Sequence, residues 1–196
     1  MQHHHNRAGY LEITVGPMWA GKTTSLLNLQ NKFNLLKYNI LTINWVNSAQ
    51  DEIVINHDNK TGTALRLKHL TTIYDLEIYD KAEKILIDEA QFFDDLFDFV
   101  VRSVDQKKKE VYLFGLDGDF RRKPFGDIPK LYPFADKFTK LNAICMICAE
   151  KGVEMPGLFT QRTVTNDEQV LIGGEDKYRC VCRYHFLNQD KTAFVK

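Results

Sequence analysis

Three things are scarce in this sequence: a charge excess, a long apolar run, and cysteine outside the last third. The 196 residues include 26 Lys and Arg against 26 Asp and Glu, so no large positive field attracts a polyanion such as duplex DNA. The chain has no run of about 18 uncharged apolar residues to span a bilayer, and neither end has the pattern of a signal peptide. We therefore expect a cytoplasmic protein with a small ligand and with no nucleic-acid or membrane partner.

The four cysteines form two close pairs, Cys145 with Cys148 and Cys180 with Cys182. In a reducing cytosol, clustered cysteines indicate metal binding rather than disulfides. A histidine run near the start, His3 to His5, is interpreted as part of a disordered tail at 1–8 that has no role.

Short apolar runs typical of β-strands alternate with longer amphipathic stretches. The runs are LEITV (11–15), NILTI (39–43), KILID (84–88), EVYLFGL (110–116) and KFTKL (137–141). This alternation predicts an α/β domain with a mostly parallel sheet flanked by helices.

The length suits one medium domain with a small appendage. Apolar residues three and four apart, from Leu26 to Leu36, predict a helix that packs on the sheet and ends near Asn39. Beyond about residue 142 the regular pattern stops. We therefore predict an α/β domain at 9–141 and a small irregular lobe at 142–196, in which a structural metal supplies folding energy.

The stretch GPMWAGKTT (16–24) matches G-x-x-x-x-G-K-[ST] between a predicted strand and a predicted helix. Its glycines let the backbone wrap a phosphate, Lys22 reaches the β- and γ-phosphates, and the Thr23 hydroxyl binds Mg²⁺. A chance glycine turn is the alternative, and the context argues against it. The predicted phosphate-binding residues are Gly16, Pro17, Met18, Trp19, Ala20, Gly21, Lys22, Thr23 and Thr24.

Two adjacent carboxylates, Asp88 and Glu89, end the strand in KILIDEAQFF (84–93). A carboxylate at the carboxyl end of a strand neighbouring the phosphate loop is suited to hold Mg²⁺, which we assign to Asp88. Glu89 then accepts a proton from the group that attacks the γ-phosphate. An acidic strand cap is the alternative interpretation.

The cysteine pairs fall in CMIC (145–148) and CVCRYH (180–185). The C-x-x-C spacing suits a tetrahedral metal ion, and Cys182 with His185 forms a matching C-x-x-H. We predict a structural zinc site of Cys145, Cys148, Cys182 and His185, with Cys180 as a spare thiol; a Cys180 and Cys182 pair is the alternative.

An aromatic loop, LDGDFRRKPFGD (116–127), follows the strand at 110–116. Phe120 and Phe125, beside Phe92, are arranged to form an apolar slot for a flat ring. Aromatics in such loops also occur as ordinary core residues, and the two interpretations are about equally supported.

Together these motifs resemble one family, the cytosolic type II thymidine kinases. The resemblance extends through GPMWAGKT, KILIDEAQFFDD, GLDGDFRRKPFG, KLNAICMIC and QVLIGGEDKYRCVCR. It implies a P-loop NTPase-like (RecA-like) fold with a zinc lobe and a lid loop. It also implies transfer of the ATP γ-phosphate to the 5′-hydroxyl of thymidine, with deoxyuridine as a candidate acceptor.

The resemblance further implies roles for individual residues. Mg²⁺ would lie beside Thr23 and Asp88, and Glu89 would take the proton of the 5′-hydroxyl. The thymine pocket would be lined by Met18, Phe92, Leu116, Phe120, Phe125, Thr160 and Tyr178. A loop that closes over the nucleoside and excludes water would comprise Gln169, Val170, Leu171, Ile172, Gly173 and Gly174.

The match departs from the family in three places. Many members have an Asp-x-Arg pair after the second strand, where this chain reads NWVNSAQDE (44–52) with no arginine; a bidentate phosphate contact is therefore missing. His185 stands where many relatives have cysteine, and zinc accepts either. The stretch AEKGVEMPGLF (149–159) is longer than usual and is expected to be a surface loop.

Two other functions are each compatible with one of the motifs. A nucleic-acid-dependent ATPase is suggested by DEAQ, which also occurs in helicases, but the zero net charge offers no basic track. A zinc-ribbon binding module with a vestigial phosphate loop conflicts with the intact Lys22, Thr23, Asp88 and Glu89. The resemblance also implies a homotetramer or dimer and feedback inhibition by thymidine triphosphate.

Overall fold

The computed structural model describes residues 8–46, 52–54, 63–171 and 173–188. Several predictions concern residues outside these ranges. They are the tail at 1–7, residues 47–51 of the stretch that lacks arginine, and Ile172 of the predicted lid.

A seven-stranded sheet forms the centre of the chain. Its strands are β1 (Tyr10–Val15), β2 (Ile40–Trp45), β3 (Glu52–Val54), β4 (Thr63–Leu67), β5 (Lys84–Asp88), β6 (Glu110–Gly115) and β7 (Lys137–Lys140). The spatial order is β3-β4-β2-β5-β6-β1-β7. Six strands are mutually parallel, and only β3 runs antiparallel, against β4. The predicted mostly parallel α/β fold is confirmed.

Helices cover both faces of the sheet. They are α1 (Lys22–Leu35), α2 (Glu77–Lys81) and α3 (Leu96–Val101), the last continued by a π-helical turn at Arg102–Gln106. The sheet has a hydrophobic core on each face, and successive side chains of β5 belong to alternate cores. Ile85 and Ile87 belong to the larger core with α2 and α3, whereas Leu86 packs with Leu26 and Phe33 of α1.

Helix α1 ends at Leu35, so the predicted end near Asn39 is wrong. Lys37 has a left-handed backbone, with φ of 59°, and the N–H of Tyr38 donates to the carbonyl of Phe33 at 3.2 Å. This turn closes the helix because the chain must reverse to enter β2 at Ile40. Leu36, predicted for the packed face, is 57% exposed.

Small elements follow β7. They are β8 (Ala143–Ile144), α4 (Met146–Ala149), β9 (Pro156–Gly157), β10 (Phe159–Arg162), β11 (Tyr178–Val181) and α5 (Arg183–Leu187). β8 pairs with β9, and β10 pairs with β11. A separate apolar cluster here includes Val181 and Phe186 around the cysteines. Of the predicted surface loop at 149–159, residues 149–156 are exposed. The prediction is wrong for the last three residues, because Gly157 is buried in β9 and Phe159 begins β10 and packs on the cysteine cluster.

Across the described part of the chain, no helix combines the length and apolar character needed to cross a bilayer.

Candidate active site

The carboxyl ends of the parallel strands bring the predicted site residues to one edge of the sheet. β1 leads into the phosphate-loop sequence, β5 ends in Asp88, and β6 leads into the aromatic loop. β6 lies between β1 and β5, so the assumption that the Asp88 strand directly neighbours the phosphate-loop strand is wrong. The intervening strand still leaves the two loops in contact, because the Thr23 hydroxyl donates to Asp88 Oδ2 at 3.1 Å.

The phosphate loop is tightly curled. Lys22 Nζ donates to the carbonyls of Gly16 and Pro17 at 3.1 and 2.8 Å. Trp19 and Gly21 both have left-handed backbones, with φ of 62° and 82°. A Cβ on Gly16 would come within 2.7 Å of the Leu141 carbonyl. The loop thus curls around the ammonium of Lys22 at the start of α1, where a cation and the free N–H groups of a helix N-terminus favour an anion.

Three charges share this edge of the sheet. Burial lowers the pKa of Lys22, an effect that the nearby carboxylates of Glu89 and Asp88 partly oppose. Burial, followed by repulsion from Glu89, raises the pKa of Asp88 above its usual range. An added cation would relieve both effects on Asp88.

The Glu89 side chain is hydrogen-bonded to that of Gln91, two residues later in the chain. The backbone of Glu89 is left-handed, with φ of 51°, and its Oε2 accepts from Gln91 Nε2 at 2.5 Å. The other end of the same amide, Gln91 Oε1, accepts from the N–H of Leu116 at 2.9 Å. Gln91 is 3% exposed and therefore ties the carboxylate to the start of the aromatic loop.

A cavity of about 270 Å³ opens beside Glu89. It is lined by predicted pocket residues, namely Met18, Phe92, Leu116, Phe120, Phe125, Thr160, Gln169, Val170, Leu171, Gly173 and Tyr178. Gly174, also predicted for this pocket, lies outside the lining. The structure thus places most of the predicted nucleoside residues around one space that also contains the Glu89 carboxylate.

Four further residues line the cavity and were not identified from the sequence: Trp45, Gly118, Asp119 and Arg162. Trp45 stacks on Phe92, with ring centroids 4.5 Å apart and planes inclined by 29°, and Phe92 meets Phe125 edge to face. Trp45 lies in NWVNSAQDE, a stretch noted only for its missing arginine. The slot interpretation of the aromatics is supported, since these rings form one wall of the cavity.

The segment between β10 and β11, here called the lid loop (163–171 and 173–177), borders the cavity. Gln169 Nε2 donates to Asp119 Oδ2 at 3.0 Å. On the other side, the Tyr178 hydroxyl donates to the Leu171 carbonyl at 2.7 Å. The lid loop is therefore attached both to the aromatic loop and to β11.

The lobe after β7 also contacts the phosphate loop directly. The N–H of Met18 donates to the Thr160 hydroxyl at 3.0 Å. Thr160 pairs with Cys180 across the β10–β11 hairpin, two residues before Cys182. One hydrogen bond and a short hairpin therefore connect the phosphate loop to the cysteine cluster.

That cluster has the donor set of a closed zinc site. The ligand atoms of Cys145, Cys148, Cys182 and His185 lie within 4.8 Å of one another, and the three sulfurs are 3.4–3.5 Å from His185 Nδ1. Three thiolates and an imidazole at these separations fit a tetrahedral zinc ion. Cys180 lies outside the group, and burial raises the pKa of its thiol to about 11.

Comparison with known proteins gives a consistent result. The profile of the family described as "TK: Thymidine kinase" matches residues 9–186. The thymidine kinase of Oryza sativa subsp. japonica is 39% identical over 189 residues, covering 92% of this chain and 67% of the relative. The thymidine kinase of Rabbit fibroma virus (strain Kasza) is 37% identical over 176 residues, covering 89% and 94%. For that of Sheeppox virus (strain KS-1), the identity is 34% over 182 residues, covering 89% and 95%.

Proposed function

The chain belongs to the thymidine kinase family and is an ATP-dependent phosphotransferase that acts on thymidine; we propose that Glu89 is its general base. In this proposal, the 5′-hydroxyl oxygen attacks the γ-phosphorus of ATP. The bond from that phosphorus to the bridging oxygen breaks, and ADP leaves with the bonding electrons. The hydroxyl proton passes to Glu89. The products are ADP and thymidine monophosphate.

The proposal assigns the ATP phosphates to the loop at 16–24. Its support is the curled backbone around Lys22, whose Nζ now donates to the Gly16 and Pro17 carbonyls. When a triphosphate enters, the ammonium exchanges these carbonyls for phosphate oxygens. A partly desolvated cation gains more from that exchange than an exposed cation would.

Thr23 and Asp88 are the residues proposed to hold Mg²⁺. Their oxygens are hydrogen-bonded to each other at 3.1 Å, and hydroxyl and carboxylate oxygens are the hard ligands that Mg²⁺ prefers. When bound, the ion would neutralise charge that develops on the phosphate oxygens. Burial and the neighbouring Glu89 disfavour the charged form of Asp88. A bound cation would therefore stabilise its carboxylate.

The cavity beside Glu89 is proposed to hold the nucleoside. Aromatic residues and residues of the lid loop line the cavity, and a mostly apolar pocket with a few polar groups suits a flat base with polar edges. Because Gln91 occupies Glu89 Oε2, Oε1 is the oxygen proposed to accept the proton.

The Cys145, Cys148, Cys182 and His185 group is proposed to hold a structural zinc ion with no position open for substrate. Its role would be to fix the β10–β11 hairpin, from which the lid loop extends. We keep the division into a kinase domain at 9–141 and a zinc and lid unit at 142–196 as part of this proposal.

Further properties are proposed from the family resemblance. They are a homotetramer or dimer, feedback inhibition by thymidine triphosphate, and a cytoplasmic location. A cysteine cluster that binds a metal fits a reducing compartment. The relatives reported above are all thymidine kinases, and they give no support to the alternative of a nucleic-acid-dependent ATPase.

The observation that carries the proposal is that Glu89 lines the nucleoside cavity while Asp88, beside it, bonds to the phosphate loop. Glu89→Gln keeps the shape and the contact surface but cannot accept a proton. We expect kcat to fall by about 10²- to 10⁴-fold, with dissociation constants for thymidine and ATP changed by less than about threefold.

Steady-state kinetics and isothermal titration measure these two effects. Glu77→Gln is the matched control, because Glu77 lies exposed on α2 and pairs with Lys81; it should leave kcat unchanged. A near-normal kcat in Glu89→Gln would exclude Glu89 as the base.

A further inference from the structure

Arg162 is a buried cation beneath the lid loop, and nothing so far assigns it a role in the reaction. It ends β10, is 6% exposed, and lines the cavity. Its hydrogen-bond partners among the described residues are carbonyl and hydroxyl oxygens rather than a carboxylate. Burying a guanidinium against neutral groups costs free energy, so its position calls for an explanation.

The Arg162 guanidinium donates hydrogen bonds to several backbone carbonyls of the lid loop. Arg162 Nη1 donates to the carbonyls of Asn166 and Glu168 at 2.8 and 2.5 Å. Arg162 Nη2 donates to the Gln169 carbonyl at 3.1 Å and to the Tyr178 hydroxyl at 2.8 Å. One side chain thus fixes three carbonyls of the lid loop, and through Tyr178 it supports a fourth, that of Leu171.

The same guanidinium forms part of the cavity wall. Its Cζ lies 3.7 Å from the ring centroid of Phe120 and 5.2 Å from that of Tyr178, and both rings line the cavity. Arg162 Nε is buried with no hydrogen-bond partner in the described structure. The planar group therefore has donors directed at the lid loop and a face on an aromatic ring of the pocket, a combination that a lysine ammonium cannot reproduce.

We propose that Arg162 is a positioning residue that holds the lid loop closed over the nucleoside cavity and so sets the affinity for thymidine. This inference rests on the proposed function, in which the cavity binds the nucleoside. The Asp119 contact to Gln169 is a second attachment of the same loop. Arg121 makes a third, through the Asp167 carbonyl. Among the described residues, Arg162 alone donates to several backbone carbonyls of the lid loop at once.

The test compares Arg162→Met and Arg162→Lys with wild type, with Arg179→Met as the matched control. Arg179 lies on the same hairpin, but its Nε donates to Gln161 rather than to the lid loop. In Arg162→Met, KM for thymidine should rise at least about tenfold, while kcat and KM for ATP should stay within about threefold. Arg162→Lys should also raise KM for thymidine, because a single ammonium cannot contact all of these carbonyls.

Hydrogen–deuterium exchange of the lid-loop amides gives a readout independent of turnover. In ligand-free protein, Arg162→Met should speed exchange in the lid loop by at least about tenfold and leave β1 and β5 unchanged. Tyr178→Phe removes one hydroxyl from the network. It should produce the same effect to a smaller degree, and it serves if Arg162→Met fails to fold.

Wild-type protein separates failure of this inference from failure of the proposed function. If thymidine does not slow lid-loop exchange in wild type, the pocket assignment itself is wrong. If thymidine does slow it, and the folded variants match Arg179→Met in both exchange and KM, Arg162 does not position the lid loop and the inference is overturned.

Discussion

At the scale of single residues, the amide of Gln91 constrains the Glu89 side chain. It joins the proposed base to the N–H of Leu116, with contacts of 2.5 Å to Glu89 and 2.9 Å to Leu116. Glu89 itself has a left-handed backbone, a conformation that a non-glycine residue keeps only when its surroundings hold it. The orientation of the base therefore depends on a neutral neighbour.

Replacing Gln91 with methionine tests this dependence, because methionine fills a similar volume and lacks both hydrogen bonds. We expect kcat to fall about 10- to 100-fold, since the carboxylate is no longer aimed at one position. KM for ATP and thymidine should change little. Steady-state product assays measure kcat and KM, and thermal unfolding shows whether the variant is folded.

Gln106→Met, at an exposed position, controls for the substitution itself. Wild-type kcat in folded Gln91→Met would show that Glu89 is positioned without the amide.

The roles of individual residues can be predicted from the sequence where those residues belong to a short local motif. Lys22, Asp88 and Glu89 follow from the spacing in two short stretches, and the structure brings them together. The roles of Gln91 and Arg162 were not predictable in this way. Gln91 stands inside KILIDEAQFF and Arg162 two residues after Thr160, but their partners lie on other loops, at Leu116 and beyond residue 165. Only the folded chain brings those partners within reach.

At the scale of elements, the aromatic loop depends on a close approach of backbones at Gly126. Its φ is +58°, and a Cβ there would lie 2.2 Å from the carbonyl oxygen of Gln91. Gly152 has a similar φ of +70° with open space around the position of a Cβ. Substitutions at these two glycines therefore distinguish the cost of backbone strain from the cost of a steric clash.

Gly126→Ala should destabilise the protein by about 2–4 kcal/mol, since it combines left-handed strain with overpacking. Gly152→Ala should cost only about 1–2 kcal/mol, because it carries the strain alone. Thermal or urea unfolding measures the difference. Equal losses in the two variants would mean that the chain at Gly126 moves away from Gln91 without cost.

Elements with long apolar runs were predictable, and those without them were not. Five predicted strands correspond to β1, β2, β5, β6 and β7. β4 reads TALRL and β3 has three residues, so neither contains an apolar run long enough to be recognised. The end of α1 was misplaced because the apolar spacing continues to Leu36. The turn at Lys37 depends on where β2 begins.

At the scale of the whole molecule, the group of three cysteines and His185 is connected to the phosphate loop. The path runs from Cys182 through the β10–β11 hairpin to Thr160, and from there to the N–H of Met18 at 3.0 Å. The hairpin next to the cysteine cluster thereby contacts the phosphate loop, and the lid loop extends from the same hairpin. Loss of the metal, which would disturb the whole hairpin, should therefore affect the binding of both substrates.

Zinc content tests which of Cys180 and Cys182 is a ligand of the metal. Wild type and Cys180→Ala should each contain about one zinc ion per chain, and Cys182→Ala should lose it, because Cys180 lies outside the four-ligand group. Elemental analysis of protein purified without chelator measures this. Chelation of wild-type zinc should then speed amide exchange within 142–188 before it affects the sheet.

Zinc retained in Cys182→Ala but lost in Cys180→Ala would reverse the ligand assignment. An absence of stoichiometric zinc from wild type would mean that another interaction stabilises the lobe.

The most direct test of the central claim is ATP-dependent phosphorylation across a panel of thymidine, deoxyuridine, deoxycytidine, deoxyadenosine and deoxyguanosine. Each is assayed with and without single-stranded DNA. Thymidine should be phosphorylated, the purine deoxynucleosides should not be, and DNA should have no effect. No turnover of any nucleoside, or ATP hydrolysis that rises with single-stranded DNA, would contradict that claim.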